Sequence, residues 1–411
     1  MTNAPVTNAR TDRFFNFPVT ILIFASFMLG MSEFVVVGIL PDIASGLKIS
    51  EVTVGNLVAL FAFVYAPCTP VGSALSARFP RFATYLILMG VFLVGNILCA
   101  LAPNYPVLLI ARLLIASVSG TLVAISMTFA PDVTTDKYRT KFIAWVFSGF
   151  SIASVVGVPI GTWVANTFGW RVTFYLVSVL TAVLMISMAL VLPRNSHPAK
   201  IGFLRQFRLF FDRRIQLGVL DVVCGAAASY VFYTYLSPIM RDEIGVPEQY
   251  LSIGLVIYGC ACLWSNLYGG KLADKGRGVE PLTHIRPIYC VQAVCLCLLA
   301  FASLVPAAGA LLLVVLGMLM YLQNSASQVL YMDVAYQSHP GSVNLAASLN
   351  SMSFSTSASP SVRRSAVWST ISLDSPGWGR SVRYSHYSLR ASPHCCVRIF
   401  SGDLRARTAL S

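Results

Sequence analysis

Three ionisable residues interrupt long apolar runs in this sequence: Glu33, Arg112 and Asp221. A charge inside such a run is expensive in a low-dielectric surrounding, so each is a candidate for moving ions or protons. Glu33 stands in Met31-Ser32-Glu33-Phe34, past the middle of its run; Arg112 stands near the start of a run that travels the other way. At about 1.5 Å of rise per residue, both reach a similar depth, roughly 5 Å to one side of the midplane. The spacing predicts a carboxylate–guanidinium pair in which each charge lowers the cost of the other. Protonating Glu33 would release Arg112, a step suited to proton coupling; a permanent pair that only fixes helix packing is the alternative. Asp221 lies near one end of its run, where it either joins this chemistry or faces water.

Two further patterns stand out. Gly149, Ala153, Gly157 and Gly161 recur every four residues and leave one helix face nearly bare. Such a stripe lets backbones approach closely, and Pro159 removes a backbone hydrogen bond and permits a bend. The stripe is expected at a sliding contact between halves of the molecule, with simple tight packing as the alternative. Tyr233, Tyr235, Asn324 and Gln328, together with Gln292, are candidates for lining a polar cavity or for hydrogen bonds between helices.

Catalytic and metal chemistry find little support. The five histidines are scattered, and eight of the ten cysteines lie within apolar runs without acidic or histidine neighbours at ligand spacing. No phosphate-binding loop pattern occurs. The expectation is a protein that is not an enzyme, with no metal and no cofactor, driven by an ion gradient. The buried carboxylate favours protons.

The elements that position these residues follow from composition. Of 411 residues, 56% are hydrophobic and 11% charged, whereas a soluble domain carries roughly a quarter charged residues. Lipid is the solvent that suits this balance. A spanning helix needs about 20 apolar residues, and ten such runs occur, near 19–40, 55–77, 83–103, 107–130, 141–165, 172–192, 215–237, 251–271, 287–304 and 307–330. The fold class is therefore an all-α polytopic membrane protein. The first run follows Arg10 and Arg13 and reads as a span, not a cleaved signal.

The net charge of +13 sits mostly in short loops. With the N-terminus cytoplasmic, only Lys48, Arg171 and Arg241 fall outside, which fixes the expected orientation. The partners this implies are a lipid bilayer, protons and a small molecule, with no nucleic acid and a monomeric state. A basic linker, 193–214, divides a six-helix bundle (1–192) from a second bundle (215–354). Gly72, Arg78 and Arg81 after the second run are echoed by Gly270, Asp274 and Lys275 after the eighth, which suggests paired gating loops in two related halves. From Ser355 the character changes: the last 57 residues hold 14 Ser, eight Arg and no Lys. No run in that tail is long enough to span a bilayer.

These residues together resemble the major facilitator superfamily, in particular its drug/proton antiporter group and bacterial sugar (arabinose-type) efflux proteins. Ser32-Glu33-Phe34 with Gly38-Ile39-Leu40-Pro41 is similar to that group's first-helix motif. Gly157-Val-Pro159-Ile-Gly161-Thr162 with Phe168-Gly169-Trp170-Arg171 is similar to its fifth-span antiporter motif. Arg112 through Gly120 resembles the fourth-span motif, and Gly72 through Arg81 the gating loop, with Ala77 and Pro80 departing from it. The resemblance covers about residues 17–354. It implies a two-bundle, twelve-span plan, in which spans 11 and 12 are missing beyond the stretch Asn344–Phe354. A frameshifted tail, 355–411, is the expectation, with a genuine ten-span variant carrying a basic tail as the alternative. The implied function is proton-coupled efflux of a small organic solute, such as a sugar or drug, across a bacterial inner membrane by alternating access. Proton-coupled uptake and a non-functional truncated transporter are the alternatives.

Overall fold

The computed structural model describes residues 14–194, 202–233, 236, 239–240, 244–274, 285–299 and 305–358. The tail from 359, and Tyr235 and Lys275 among the candidates, lie outside the described residues, as do the side chains of Tyr233 and Asp274.

All regular structure among the described residues is helical. Helix α1 (Phe17–Gly38) starts at Asn16, whose side chain accepts the Val19 amide at 2.9 Å, an N-cap reinforced by Pro18 in the first turn. A short α2 (Leu40–Leu47) leads into α3 (Glu51–Ser76), which Ser50 caps through the Thr53 amide. Helix α4 (Arg81–Leu101) is followed by α5 (Tyr105–Thr128), capped by Asn104. Helix α6 (Arg139–Ile152) runs through a π-helical turn, Ala153–Gly157, into α7 (Val158–Phe168). The wide turn stands just before Pro159, which cannot donate to the preceding turn, so the ladder loosens there. Gly169, at φ 94°, makes the tight turn into α8 (Trp170–Val191).

The second half comprises α9 (Arg213–Tyr233), α10 (Glu248–Asp274), α11 (Ile285–Leu299), α12 (Pro306–Met320), α13 (Leu322–Ser338) and α14 (Val343–Ala358). Eight of the described helical stretches are long and apolar enough to cross a bilayer; α12 and α13 count as one of them, Pro306–Ser338. Helices α9 and α11 occupy the two remaining runs read from the sequence. Large apolar side chains such as Ile87, Ile110, Val179 and Leu190 point outward, as a lipid-facing surface requires.

Close approaches set the packing of the first half. Gly72 faces the Thr121 side chain and Gly120 faces Thr69, so α3 and α5 cross where a Cβ on either glycine would collide. The bare stripe of α6 and α7 corrects one expectation. Gly149, Gly157 and Gly161 lie against Ile23, Met31 and Val35 of α1, within the first half and away from the seam between halves. The seam is made by another face of the same helix: Ala144 meets Gly270, Val155 meets Gly259, and the Asn266 side chain donates to Ser151 Oγ at 2.6 Å. Stripe spacing announces close approach but does not name the partner, and α1 was the nearer neighbour.

The halves also meet where α14 lies on α3 and α5. Asn344 Nδ2 donates to Ser76 Oγ at 3.1 Å. The linker joins this contact. Its residues Phe203–Phe211 form a short helix and a 3-10 turn. Gln206 is fully buried there: its Nε2 donates to the Ala74 carbonyl at 2.9 Å, and its own carbonyl accepts Ser342 Oγ at 3.1 Å. The linker thus touches both halves.

Candidate functional site

Arg112 projects from the middle of the first bundle and is only 1% exposed. Its Nη1 donates to the Ser32 carbonyl at 2.7 Å and its Nη2 to the Glu33 carbonyl at 3.3 Å. The guanidinium lies 4.5 Å from the centroid of the Phe61 ring. The structure therefore corrects the expected ion pair. Arg112 and Glu33 are brought together, but the arginine binds the backbone of α1 and not the Glu33 carboxylate. The physical reason is reach: the planar fork spans the two successive carbonyls of Ser32 and Glu33.

Glu33 is half-buried on α1 and lies within electrostatic range of Arg112 and Tyr65. Its carboxylate takes no hydrogen bond among the described residues. Ser32, one residue earlier, donates its hydroxyl to Asn96 Oδ1 at 2.7 Å, and Asn96 Nδ2 returns to the Phe92 carbonyl at 2.9 Å. Three helices, α1, α4 and α5, are locked around this point. Tyr65 on α3 lies near Ser351 on α14, which brings the cluster up against the second half. Asn96, Phe61, Tyr65 and Ser351 were not singled out from the sequence. A polar residue inside an apolar run was the available signal for Asn96; the other three carry none.

Asp221 does not join this centre. It is half-buried on α9, where the hydroxyl of Tyr289 from α11 donates to its backbone carbonyl at 3.3 Å, its Oδ2 has no hydrogen-bond partner among the described residues, and Tyr331 from α13 lies within electrostatic range. Gly218 and Gly225, one turn to either side, receive the rings of Tyr331 and Tyr289. Asp221 thus lies beside two tyrosines of the second half and does not simply face water.

The loop residues divide. Arg81 donates to the Thr128 carbonyl at 2.6 Å, pairs with the Asp132 carboxylate and stacks on Phe129, tying α4 to the end of α5. Arg78 is exposed. Gly270 lies in the seam against Ala144, whereas Gly72 packs inside the first half. Asn324 and Gln328 are buried on α13, and Gln323, Ser325, Ser327 and Tyr331 are buried beside them. Among the described residues no cluster of three or more His, Cys, Asp or Glu could hold a metal ion.

Comparison with known proteins agrees with this architecture. The Major Facilitator Superfamily profile matches residues 22–360. The chain is 29% identical over 331 residues to the MFS-type transporter YtbD of Bacillus subtilis, covering 80% of this chain and 83% of that protein. It is 28% identical to a chloramphenicol resistance protein of Streptomyces lividans, covering 92% of this chain and 95% of that one. Its fold superposes on the Escherichia coli fucose:proton symporter FucP with a TM-score of 0.67 at 14% identity, covering 86% of this chain and 92% of that chain. Two helical bundles, a buried arginine holding the first helix and a profile match over most of the chain lead to one statement: this chain belongs to the major facilitator superfamily and is a multi-pass membrane transporter.

Proposed function

We propose that the chain exports a small organic solute in exchange for protons, by alternating access, as a member of the drug/proton antiporter group in a bacterial inner membrane with its N-terminus cytoplasmic. The observation that carries this reading is the Glu33 carboxylate. It is half-buried next to the fixed charge of Arg112 and has no hydrogen-bond partner among the described residues. Such a group can take up and release a proton without breaking a side-chain bond, while Arg112 stays anchored to α1. The nearness of Tyr65, in electrostatic range of Glu33, to Ser351 of the second half supports a coupling site that a relative movement of the bundles would reach. The S. lividans relative, named for chloramphenicol resistance, supports export over uptake.

Everted membrane vesicles test the reading, with chloramphenicol and simple sugars as probes. Acidifying the lumen should drive accumulation of a probe, and Glu33→Gln should abolish the gradient dependence. Accumulation driven by the opposite gradient would identify a symporter, and accumulation indifferent to any proton gradient would sink the coupling role of Glu33.

A further inference from the structure

The linker segment Phe203–Phe211 presents two unlike faces. Gln206 and Leu209 are buried on its inner side. Phe203, Phe207 and Phe210 are partly buried there, with ring centroids 5.2 Å apart for the first pair and 6.0 Å for the second. The outer face carries Leu204, Arg205, Arg208 and Phe211, all exposed. Phe211 at 81% and Leu204 at 80% are the most exposed large apolar side chains among the described residues. Leu190, one residue before the end of α8, follows at 79%. Apolar exposure thus peaks at the end of the molecule where α8 stops and α9 starts.

Charge at the same end is one-sided. Asp212 is the only acid between residues 193 and 214, and Arg214 engages its carboxylate at 2.9 Å. Arg205, Arg208 and Arg213 are exposed and form no ion pair among the described residues. Arg213 also opens α9, where a cation opposes the positive end of the helix dipole. Gln206 fixes the depth of the segment. It holds the Ala74 carbonyl two residues before α3 ends at Ser76, about 3 Å along the helix. The outer face therefore stands level with the ends of the spans. Water is a poor solvent for Leu204 and Phe211, and hydrocarbon is a poor one for the arginines. The headgroup layer suits both: apolar side chains dip toward the acyl boundary while guanidinium groups meet phosphates.

We propose that the outer face of the linker, together with Arg213, is a docking surface for anionic phospholipid headgroups. Charge complementarity names the occupant, and so does continuity with the lipid-facing side of α9, where Leu217 and Leu220 are exposed. An acidic peptide would match the arginines but not the apolar surface that runs on into the bilayer. The proposal depends neither on the direction of transport nor on Glu33.

Native mass spectrometry of the full chain in detergent micelles, offered equal amounts of phosphatidylglycerol and phosphatidylcholine, is the test. Phosphatidylglycerol should be retained at least about fivefold over phosphatidylcholine, the factor for one arginine near an anionic headgroup. Arg205→Gln, Arg208→Gln and Arg213→Gln combined should bring the two lipids close to parity, and Arg208→Gln alone should go part of the way. Lys48→Gln, Arg78→Gln and Lys137→Gln combined remove the same charge from exposed positions outside the linker and should leave the preference intact. No preference in the parent chain, a preference that survives in the linker variants, or an equal loss in both triple variants would each overturn the proposal. Stronger retention of a polyglutamate peptide than of phosphatidylglycerol would assign the surface to a protein partner and overturn it as well.

Discussion

Arg112 is held by geometry more than by charge. Two backbone carbonyls and one aromatic face receive its guanidinium, and a lysine ammonium cannot span the same three partners. Its existence as a functional candidate was legible, because a charge inside an apolar run is conspicuous. Its partners were not, since backbone acceptors leave no mark in a sequence. The same holds outside the membrane for Asp212. Arg214 donates to that carboxylate through its amide, Nε and Nη2, at 2.9, 3.2 and 2.9 Å. These bonds hold the Asp212 carboxyl below its ordinary value of 3.8, against the opposing effect of burial. A depressed carboxylate contributes stability that is present above its unfolded pKa and lost as pH falls through the folded one. Asp212→Asn should therefore lower the thermal midpoint at pH 7 by an amount worth about 0.5 kcal/mol, because Arg214 is half exposed and solvent screens the pair. The difference from the parent should vanish as pH drops below about 4; a deficit that persists at low pH would assign the effect to something other than ionisation.

Among the elements, the helices were legible and their contacts less so. Apolar run length marks a span because lipid leaves the backbone few other choices. Which face meets which neighbour depends on tertiary fit, and the stripe of α6 and α7 shows this by packing on α1. The glycines along it are not equivalent. A Cβ at Gly149 would stand 2.9 Å from the Ile23 carbonyl oxygen and the Phe27 amide nitrogen, both main-chain atoms that cannot step aside. A Cβ at Gly157 would meet Met31 Cγ at 3.2 Å, the stem of a flexible side chain. Gly149→Ala is expected to cost roughly 1–3 kcal/mol, the range for overpacking. Gly157→Ala should cost less than about 1 kcal/mol. Unfolding of the two variants in detergent, side by side, checks the order; equal losses would count against it.

For the molecule as a whole, the hydropathy pattern and the basic linker announced two halves, but the way they are fastened could not be read. Gln206 sits in a segment that looks like an ordinary charged loop, and its burial depends on surfaces more than a hundred residues away on either side. Its bond to the Ala74 carbonyl, with Asn344 to Ser76 beside it, draws the linker-side ends of the halves together. Gln206→Ala removes about 1 kcal/mol from that closed arrangement, enough to raise the population open on the linker side roughly fivefold. A single cysteine placed at Ser325, in a background free of other cysteines, should then react faster with an impermeant maleimide in inside-out vesicles. An unchanged rate would mean the linker bond does not bias the closure.

The same linker also has a place in time. During synthesis the amino-terminal part of a chain emerges and folds before the rest. The Ala74 carbonyl that receives Gln206 belongs to the bundle made first, whereas Ser342, Leu330 and Leu345, which pack around the linker, are translated more than a hundred residues later. The finished first bundle can therefore seat the linker as soon as it leaves the ribosome. The seated segment then offers the later helices a ready surface, so assembly of the second half is templated by the first.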